Sequence, residues 1–185
     1  MQISHIVTKM KKPLNENQVK TIRKMTADNP LHNLLINLST DLMLRASDLL
    51  KLKVSDVMFE NGKVRETVKV KQKKTKNYTI DIPLSENSKK SISKFLSDKN
   101  ADDFIFAGQK SHYTRKAIST VQYQRIIKGW MRMLGVDDVS SYSTHSMRKT
   151  LASHIYSKTN NVEAVRRLLG HQSVTATSSY LNVSN

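Results

Sequence analysis

The sequence predicts an α+β fold, a mostly helical domain with a small three-stranded antiparallel sheet in the N-terminal half of the chain. Two observations indicate it. Apolar residues recur at helical spacing over most of the chain, whereas between Val54 and Leu84 they alternate with polar residues, as in strands. The chain has 185 residues, which is enough for one substantial hydrophobic core and does not require a second domain.

The N-terminal part is predicted to be helical. Residues 1–12 are expected to form a loose lead-in, and the domain is expected to span residues 13–185. Asn15 is a residue type that caps helices, and an apolar face that includes Ile22 and Met25 follows it at helical spacing. The first helix is therefore predicted to begin at Asn15.

A second and a third helix are predicted next. Residues 31–44 are apolar enough to form a core helix. Ser47 can cap a short third helix that ends at Leu50. This arrangement places Arg45 at the junction between two helices, where packing on both sides fixes its position.

Three strands are predicted after these helices. Residues 57–59 and 64–70 form a hairpin around an Asn-Gly pair, which is typical of tight turns between strands. A second, strongly basic turn covers residues 71–76. Residues 78–82 then alternate as the third strand, which gives an antiparallel sheet rather than a parallel βαβ unit.

The C-terminal half is predicted to be helical apart from a short buried segment at 104–106. The predicted helices are 85–98, 119–134, 145–157 with Thr144 as its cap, 162–169 and 173–181. In the second of these, Ile126, Ile127, Trp130 and Met133 lie at helical spacing, which is typical of a face packed against the core.

The charge of the chain indicates the class of its partner. Lys and Arg total 31 against 15 for Asp and Glu, a formal net charge of +16. These basic residues are spread over the whole chain, as expected of a globular surface that wraps a phosphate backbone, so a nucleic acid is the expected partner. The absence of cysteine excludes disulfides and thiolate metal sites. No apolar run approaches membrane-spanning length and no signal peptide is evident, so a cytoplasmic protein is expected.

His145-Ser-Met-Arg148 is the first motif with chemical potential. Side chains three apart on a helix share one face, so His145 and Arg148 can reach one phosphate together. Both fall in the first turn after a cap, where free backbone N–H groups favour an anion. By itself, however, this spacing is more often a solvated helix face.

Gly170-His171 and Tyr180 form the second group. Gly170 is a natural C-terminal stop for the preceding helix, and His171 begins the next loop. Alone, such a histidine is more often structural, and a tyrosine near a terminus is commonly a half-buried side chain with a wet hydroxyl. Together with the His-Arg pair, they supply the nucleophile and the cationic groups that DNA strand cleavage through a covalent intermediate needs.

In this combination the chain resembles the tyrosine recombinase family, the phage-integrase type of site-specific DNA recombinase. Its signature is an arginine in a helix-turn, then His-x-x-Arg, then Leu-Gly-His followed nine positions later by a tyrosine. The corresponding segments here are 44–49, 145–148 and 169–171 with Tyr180, and the third matches in both residues and spacing. The resemblance extends from Pro13 to the end of the chain.

The resemblance implies a role for each signature residue. Arg45 and Arg148 look like the pair that clamps the non-bridging oxygens of the scissile phosphate. His145 would handle the proton of the tyrosine, and His171 would donate a hydrogen bond to the phosphate. Tyr180 would attack in line and give a 3′-phosphotyrosine and a free 5′-hydroxyl.

The family also uses a lysine between two strands to protonate the leaving oxygen. Lys74 is the preferred candidate, because Lys-Thr before an alternating strand is similar to the integrase pattern. Lys71, Lys73 and Lys76 remain rivals and, together with Lys149, are candidate contacts to DNA phosphates. Lys149 stands where the family often has a second histidine.

The resemblance also implies partners. The expected partners are double-stranded DNA recombination sites and accessory DNA-bending proteins. The protein is expected to form a tetramer on DNA and to be a monomer off DNA. A bacterial or phage-encoded protein associated with the nucleoid is implied. The chemistry needs no cofactor and no metal, and the sequence shows no Gly-rich phosphate loop or carboxylate cluster. The family's N-terminal core-binding domain is absent from this sequence, and both a short natural recombinase and part of a longer integrase stay open.

Two other functions are alternatives. A type IB topoisomerase uses similar chemistry but only relaxes supercoils, and a non-catalytic DNA-binding or regulatory module could keep the same fold. The presence of all five signature residues and a candidate lysine favours a site-specific recombinase. Integration, excision, inversion and resolution are not distinguished by the sequence, and neither is the target DNA.

Overall fold

Helices make up most of the computed structural model, which describes residues 9–108 and 116–183. The α-helices are α1 (Glu16–Met25), α2 (Pro30–Leu42), α3 (Ala46–Leu49), α4 (Val54–Val57), α5 (Glu86–Leu96), α6 (Thr120–Met133), α7 (Thr144–Thr159), α8 (Val162–Leu169) and α9 (Val174–Leu181). A 3-10 helix covers Val139–Ser141, and the described strands are β1 (Thr67–Val68) and β2 (Ile82–Pro83). The predicted α+β class with mostly helical content is confirmed.

Side-chain caps explain where several helices begin. The side chain of Asn15 accepts a hydrogen bond from the backbone N of Gln18, and the side chain of Gln18 accepts one from the backbone N of Asn15. Ser85, Ser119 and Ser173 cap α5, α6 and α9 by accepting a hydrogen bond from a backbone N in the first turn. These helices therefore begin within one residue of their predicted starts.

Two predicted caps are wrong. Helix α3 begins directly after Arg45 rather than after Ser47, and no side chain caps it. Helix α7 is capped by Ser143, whose hydroxyl accepts from the backbone N of His145 at 3.2 Å. Ser143 has the extended backbone that a cap requires, so Thr144 is the first helical residue instead of the cap.

The prediction of three strands is also wrong. The sheet that the described residues form has two strands, β1 and β2, which pair antiparallel with Val68 opposite Ile82. The segment predicted as the first strand begins in helix α4, because the carboxylate of Asp56 accepts from the backbone N of Lys53 at 2.8 Å and closes a helical turn. The Asn-Gly hairpin is reduced to a single bridge, Met58 opposite Val64.

Strand pairing also becomes irregular toward the basic turn at residues 71–76. An isolated bridge between Lys71 and Tyr78 lies out of register with the pairs of β1 and β2. The backbone N of Val70 donates to the hydroxyl of Thr79 at 3.0 Å, so a side chain enters the ladder. The apolar alternation in the sequence therefore extends further than the strands do.

The buried apolar side chains fall into two clusters. The larger one, which we call the main core, runs from Leu14 to Met147 and includes Leu35 of α2 and Trp130 of α6. The smaller one, which we call the C-terminal cluster, consists of Met43, Ala152, Val165 and Leu169, with Tyr180 among the side chains packed against it. Helix α2 joins the two clusters, because it packs against both α5 and α7.

The predicted apolar faces of α1 and α6 are confirmed only in part. Ile22, Ile127 and Trp130 are buried, and the segment 104–106 contributes Ile105 and Phe106 to the main core. Met25 is 38% exposed and Met133 is 66% exposed, because both stand in the last turn of their helices.

The described part of the N-terminal lead-in, residues 9–12, has no regular secondary structure but is attached to the domain. The backbone N of Lys12 donates to the carbonyl of Ser141 at 2.8 Å, and Lys11 Nζ donates to the carbonyl of Ser140 at 2.7 Å. Lys9 pairs with Asp138. Across residues 9–108 and 116–183, no helix combines the length and the apolar character needed to span a bilayer.

Candidate active site

Arg45 stands at the N-terminus of α3, at the junction with α2 that the sequence predicted. Its backbone is extended, and Met43 before it has a left-handed conformation with φ of 50°, so the chain turns sharply between the two helices. Its guanidinium donates through Nη1 to Oε1 of Gln72 at 3.0 Å. Arg45 is half-buried. The hydrogen bond to Gln72, a residue of the basic turn, fixes its guanidinium near the surface.

Arg148 lies in α7 and is buried, with 6% of its surface exposed. Nε donates to the carbonyl of Met43 at 3.0 Å, and Nη2 donates to the carbonyl of Leu169 at 3.2 Å. These two carbonyls belong to chain segments far apart in sequence, at the ends of α2 and α8. A guanidinium carries five N–H groups, so this arrangement fixes its orientation and leaves donors for a ligand.

Tyr180 lies in the last turn of α9, and its ring packs against the C-terminal cluster. The guanidinium carbon of Arg148 lies 5.6 Å from the ring centroid, and the ring of His171 meets it edge-on at 5.2 Å. The hydroxyl is buried and has no hydrogen-bond partner among the described residues. Burial raises the pKa of Tyr180 to about 12, although Arg148 and Arg45 act in the opposite direction.

His171 follows Gly170, which ends α8 in the left-handed conformation with φ of 68°. Its Nδ1 lies 3.0 Å from Oγ1 of Thr177, and that hydroxyl also lies 3.2 Å from the carbonyl of Ser173, to which it donates. Because the hydroxyl hydrogen is used there, Nδ1 of His171 is the donor to Thr177 and carries the proton. Burial, Arg148 and Arg45 lower the pKa of His171 to about 4, so the ring is neutral at pH 7.

His145 lies in the first turn of α7, and its side chain is exposed. Partial burial of the ring is nevertheless the largest cause that lowers its pKa, followed by the charges of Arg148, Lys149 and Arg45. The lowered pKa favours the neutral imidazole at pH 7, and the charges of both arginines act on it. A neutral imidazole surrounded by cations can accept a proton.

Lys149 is buried, although the sequence predicted it as a DNA contact. Only 7% of its surface is exposed, and its Nζ donates to the carbonyl of Lys11 at 3.2 Å. The ammonium also lies 5.0 Å from the ring centroid of Tyr180. Burial lowers the pKa of Lys149.

The lysines of the basic turn are all exposed. The turn is closed by hydrogen bonds from the backbone N of Lys76 to the carbonyl of Gln72 at 3.0 Å and from the backbone N of Gln72 to the carbonyl of Asn77 at 2.8 Å. Lys76 has φ of 61°, and the ammonium of Lys71 lies 6.0 Å from the ring centroid of Tyr78. Lys73 and Lys74 are in the turn itself, so the rivalry among these lysines stays open.

Two residues that position the site were missed by sequence reasoning. Gln72 is 6% exposed, and it holds Arg45 from within a run of lysines that otherwise looks solvated. Asp48 is 1% exposed, and its Oδ1 accepts from the backbone N of Lys73 at 2.9 Å and from Lys51 Nζ at 3.0 Å. No periodicity marks either residue as buried, because both serve tertiary contacts between α3 and the basic turn.

The site thus brings together Arg148, His171 and Tyr180 by direct contact, while Arg45 and His145 lie within electrostatic reach. Lys74 lies on the turn that Gln72 and Asp48 attach to α3, and within the described residues it does not contact Tyr180. In residues 9–108 and 116–183, no group of three His, Cys, Asp or Glu side chains could hold a metal ion.

Comparison with known proteins identifies the class of protein. Residues 12–185 match the model of the phage integrase family. The chain belongs to this family.

Individual relatives agree with this assignment. The chain is 31% identical over 140 residues to the "Probable integrase/recombinase YoeC" of Bacillus subtilis, a match that covers 76% of this chain and 71% of the relative. A crystal structure of XerA recombinase superposes with a TM-score of 0.75 at 20% identity and covers 95% of this chain and 62% of that one. The catalytic domain of bacteriophage HP1 integrase superposes with a TM-score of 0.65 at 18% identity and covers 93% and 88%. These two structures share the fold with this chain.

The chain spans only part of most of its relatives. It covers 54% of a tyrosine recombinase from Pseudothermotoga lettingae and 56% of a XerC from Vibrio parahaemolyticus. It covers nearly all of the HP1 catalytic domain. The match is therefore to the part of these proteins that has the fold described above.

Proposed function

We propose that residues 13–185 are the catalytic domain of a site-specific DNA recombinase, which cuts and rejoins DNA strands through a 3′-phosphotyrosine. One observation carries the proposal. The phenol of Tyr180 is buried beside Arg148 and His171, and its hydroxyl has no hydrogen-bond partner among the described residues. A buried hydroxyl without a partner is costly, and a scissile phosphate would supply the missing contact.

In the proposed reaction, Oη of Tyr180 attacks the phosphorus of a DNA phosphodiester. The bond from phosphorus to the 5′ oxygen breaks, and a bond from phosphorus to the tyrosine oxygen forms. His145, whose lowered pKa favours the neutral form at pH 7, takes the phenolic proton, and Lys74 gives a proton to the departing 5′ oxygen. Religation is the reverse transfer, so the bond energy is retained and neither a metal nor a cofactor is required.

The two arginines are proposed to stabilise the transition state. Negative charge on the non-bridging oxygens grows as the phosphorus becomes five-coordinate, and fixed cations stabilise it without reorganisation. Arg148 is fixed by two backbone carbonyls and Arg45 by Gln72. Both charges oppose the rise in the pKa of Tyr180 that burial causes, and thereby favour loss of its proton during attack.

His171 is proposed to donate from Nε2 to the phosphate. Since its Nδ1 already carries a proton that it donates to Thr177, a second donor requires the imidazolium. The anionic phosphate would favour that form by offsetting the charges of Arg148 and Arg45, which lower the pKa of the free ring.

The proposed partner is a double-stranded DNA recombination site on which four copies of the whole protein assemble, with accessory DNA-bending proteins. Related solved structures support the DNA partner: one is a XerH recombinase bound to its difH substrate after cleavage. The net charge of +16 supports it as well. DNA as the substrate places the proposed reaction in the cytoplasm, at the nucleoid.

The test is covalent capture on DNA. Duplexes that bind the protein are first selected from a random-sequence library, and the selected duplex is then nicked near the cleaved phosphate so that religation fails. We expect an SDS-resistant protein–DNA adduct with the wild type and none with Tyr180→Phe, which keeps the ring but lacks the nucleophile. DNA binding without any adduct would support a non-catalytic module instead. Relaxation of supercoiled plasmid without exchange between two sites would support a topoisomerase.

The same assay decides among the lysines. Lys74→Ala should slow cleavage of the normal substrate, and a 5′-phosphorothiolate leaving group, which needs little protonation, should restore the rate. Lys71→Ala, Lys73→Ala and Lys76→Ala are the matched controls. If rescue occurs in one of these three and not in Lys74→Ala, that lysine is the acid.

A further inference from the structure

Lys149 is an unusual residue because it is charged and yet largely removed from solvent. Lysine is rarely buried without a partner, since desolvation of an ammonium is costly. Its exposure is 7%, and its hydrogen bond to a protein group is to the backbone carbonyl of Lys11 at 3.2 Å. A neutral carbonyl compensates only part of the desolvation cost, so a second favourable contact is expected.

The ring of Tyr180 provides that contact. The ammonium lies 5.0 Å from the ring centroid, within the range of about 6 Å for cation–π attraction. Arg148 lies 5.6 Å from the same centroid, and His171 meets the ring edge-on. The charges of Arg148 and Arg45 act to lower the pKa of the Tyr180 hydroxyl. The contact of Lys149 is with the ring.

The carbonyl that holds Lys149 is itself fixed in place. The backbone N of Lys12 donates to the carbonyl of Ser141 at 2.8 Å, and the backbone N of Leu14 donates to the hydroxyl of Thr150 at 3.1 Å. The carbonyl of Leu14 lies 2.9 Å from Nε2 of His154. Residues 11–14 are therefore attached both to Ser141 and to α7, the helix that carries Lys149, and the ammonium has little freedom to leave the ring.

We propose that Lys149 is a positioning residue for the nucleophile: its ammonium, held by the carbonyl of Lys11, fixes the ring of Tyr180 in the orientation for attack. The proposal rests on the function proposed above, in which Tyr180 is the attacking group. It differs from a DNA contact, because the residue is buried and its ammonium contacts the carbonyl of Lys11 and the ring of Tyr180. It also differs from an acid–base role, because the contact is to the ring.

The test separates positioning from DNA binding and from folding. Lys149→Met keeps the length of the apolar stem and removes the charge, whereas Lys149→Arg keeps a cation that can reach the same carbonyl and ring. Lys158→Met removes a lysine from the same helix that is exposed and paired with Glu16, and it serves as the matched control. Single-turnover cleavage of the nicked duplex, the Kd for the intact duplex and the urea unfolding midpoint are measured for each.

We expect Lys149→Met to slow cleavage by about tenfold with the Kd nearly unchanged, which corresponds to the loss of a largely desolvated cation–π contact. Arg148 still contacts the ring, so cleavage is not abolished. Lys149→Arg should cleave within about threefold of the wild type, and Lys158→Met should match the wild type. Restoration by arginine is the readout that a general loss of stability would not give.

Three outcomes would overturn the proposal. A cleavage rate of Lys149→Met equal to that of the wild type would remove the positioning role. A weaker Kd with a reduced salt dependence would make Lys149 a phosphate contact. Slow cleavage by both variants, with urea midpoints lowered in parallel, would make its role structural. If the wild type forms no adduct at all, it is the proposed function that fails, and this result is distinct from the other three.

Discussion

The two parts of the site rest on hydrophobic clusters of very different size. Helix α2, whose end leads into Arg45, is embedded in the main core, with Leu34, Leu35 and Ile36 nearly inaccessible to solvent. Helices α8 and α9, which lead to His171 and carry Tyr180, pack on a cluster of four buried apolar side chains. The part that carries the nucleophile is therefore supported by much less buried apolar surface.

Helix α9 shows this difference most clearly. Its buried residues are Thr177 and Ser178, both polar. The hydroxyls of Ser178 and Tyr180 are buried and have no partner among the described residues, and each such group costs about 1–3 kcal/mol. Helices with few buried apolar contacts belong to the less stable part of a protein. Arg45 thus follows a helix embedded in the main core, whereas Tyr180 lies on a unit that can adjust locally.

Arg148 links the two parts. Its guanidinium donates to Met43 at the end of α2 and to Leu169 at the end of α8. A local rearrangement of α8 and α9 would thus change the contacts of the same side chain that is proposed to bind the phosphate. Positioning of the phosphate and of the nucleophile is coupled through this one residue.

The largest expected effect is a loss of stability when a side chain of the main core is truncated. Leu35→Ala removes a fully buried side chain of α2 and should lower the free energy of unfolding by about 2–5 kcal/mol. Val165→Ala in the C-terminal cluster removes a smaller side chain that is also fully buried. It should cost about 1–2 kcal/mol, since fewer carbon atoms are removed. Urea unfolding measures both.

Amide hydrogen exchange then separates the two variants. Leu35→Ala should accelerate exchange throughout the main core, whereas Val165→Ala should accelerate it mainly in α8 and α9. Equal acceleration everywhere in both variants would mean that the two clusters unfold as one unit and do not differ in local stability.

Much of the C-terminal half could be predicted from the sequence because its signals are local. Gly170 ends α8 and Ser173 caps α9, as the residue types indicate. The spacing of the motif then brings His171 and Tyr180 into contact, because a loop and two turns of helix separate them. The signature was sufficient to identify the family, which the family match confirms. The roles of the individual residues stay predictions.

The sheet could not be predicted from the same kind of signal. Apolar alternation indicates an extended chain but not which hydrogen bonds form, and here Asp56 closes a helical turn while the Thr79 hydroxyl enters the ladder. No pattern in the sequence indicates the burial of Gln72 and Lys149 either. Each is a polar residue in a basic sequence, and each is hydrogen-bonded to a residue distant in sequence, Gln72 to Arg45 and Lys149 to Lys11.

A smaller effect is expected at the contact between the two parts. A Cβ added to Gly170 would lie 3.3 Å from Nε2 of Gln72, the side chain that holds Arg45. Gly170→Ala should cost about 1–2 kcal/mol, because φ is 68° and this region is unfavourable for alanine. By displacing Gln72 it should also slow cleavage several-fold in the nicked-duplex assay.

Gly135→Ala is the matched control for this substitution. Gly135 has φ of 70°, and a Cβ added there would meet no atom within 4 Å. A similar loss of stability with an unchanged cleavage rate is therefore expected. Equal cleavage rates in the two variants would show that the contact with Gln72 does not matter for the position of Arg45.

The smallest expected effect is a shift in the pKa of a histidine, measured for one histidine in the main core and one beside Tyr180. Burial alone lowers the pKa of His32, whose Nδ1 accepts from Trp130 at 3.3 Å in the main core. The pKa of His171, about 4, is lowered by burial and also by Arg148 and Arg45. Because the unfolded chain binds a proton near pH 6.5 that folded His171 does not bind, this residue makes the DNA-free protein less stable as pH falls from about 6.5 to about 4.

Sulfate, bound by the arginines, should raise the pKa of His171 and leave that of His32 unchanged. An NMR titration of the two ring signals with and without sulfate measures this. An equal shift of both histidines would indicate a general ionic-strength effect, and the site would then lack the specific coupling between the phosphate-binding arginines and the loop that precedes the nucleophile.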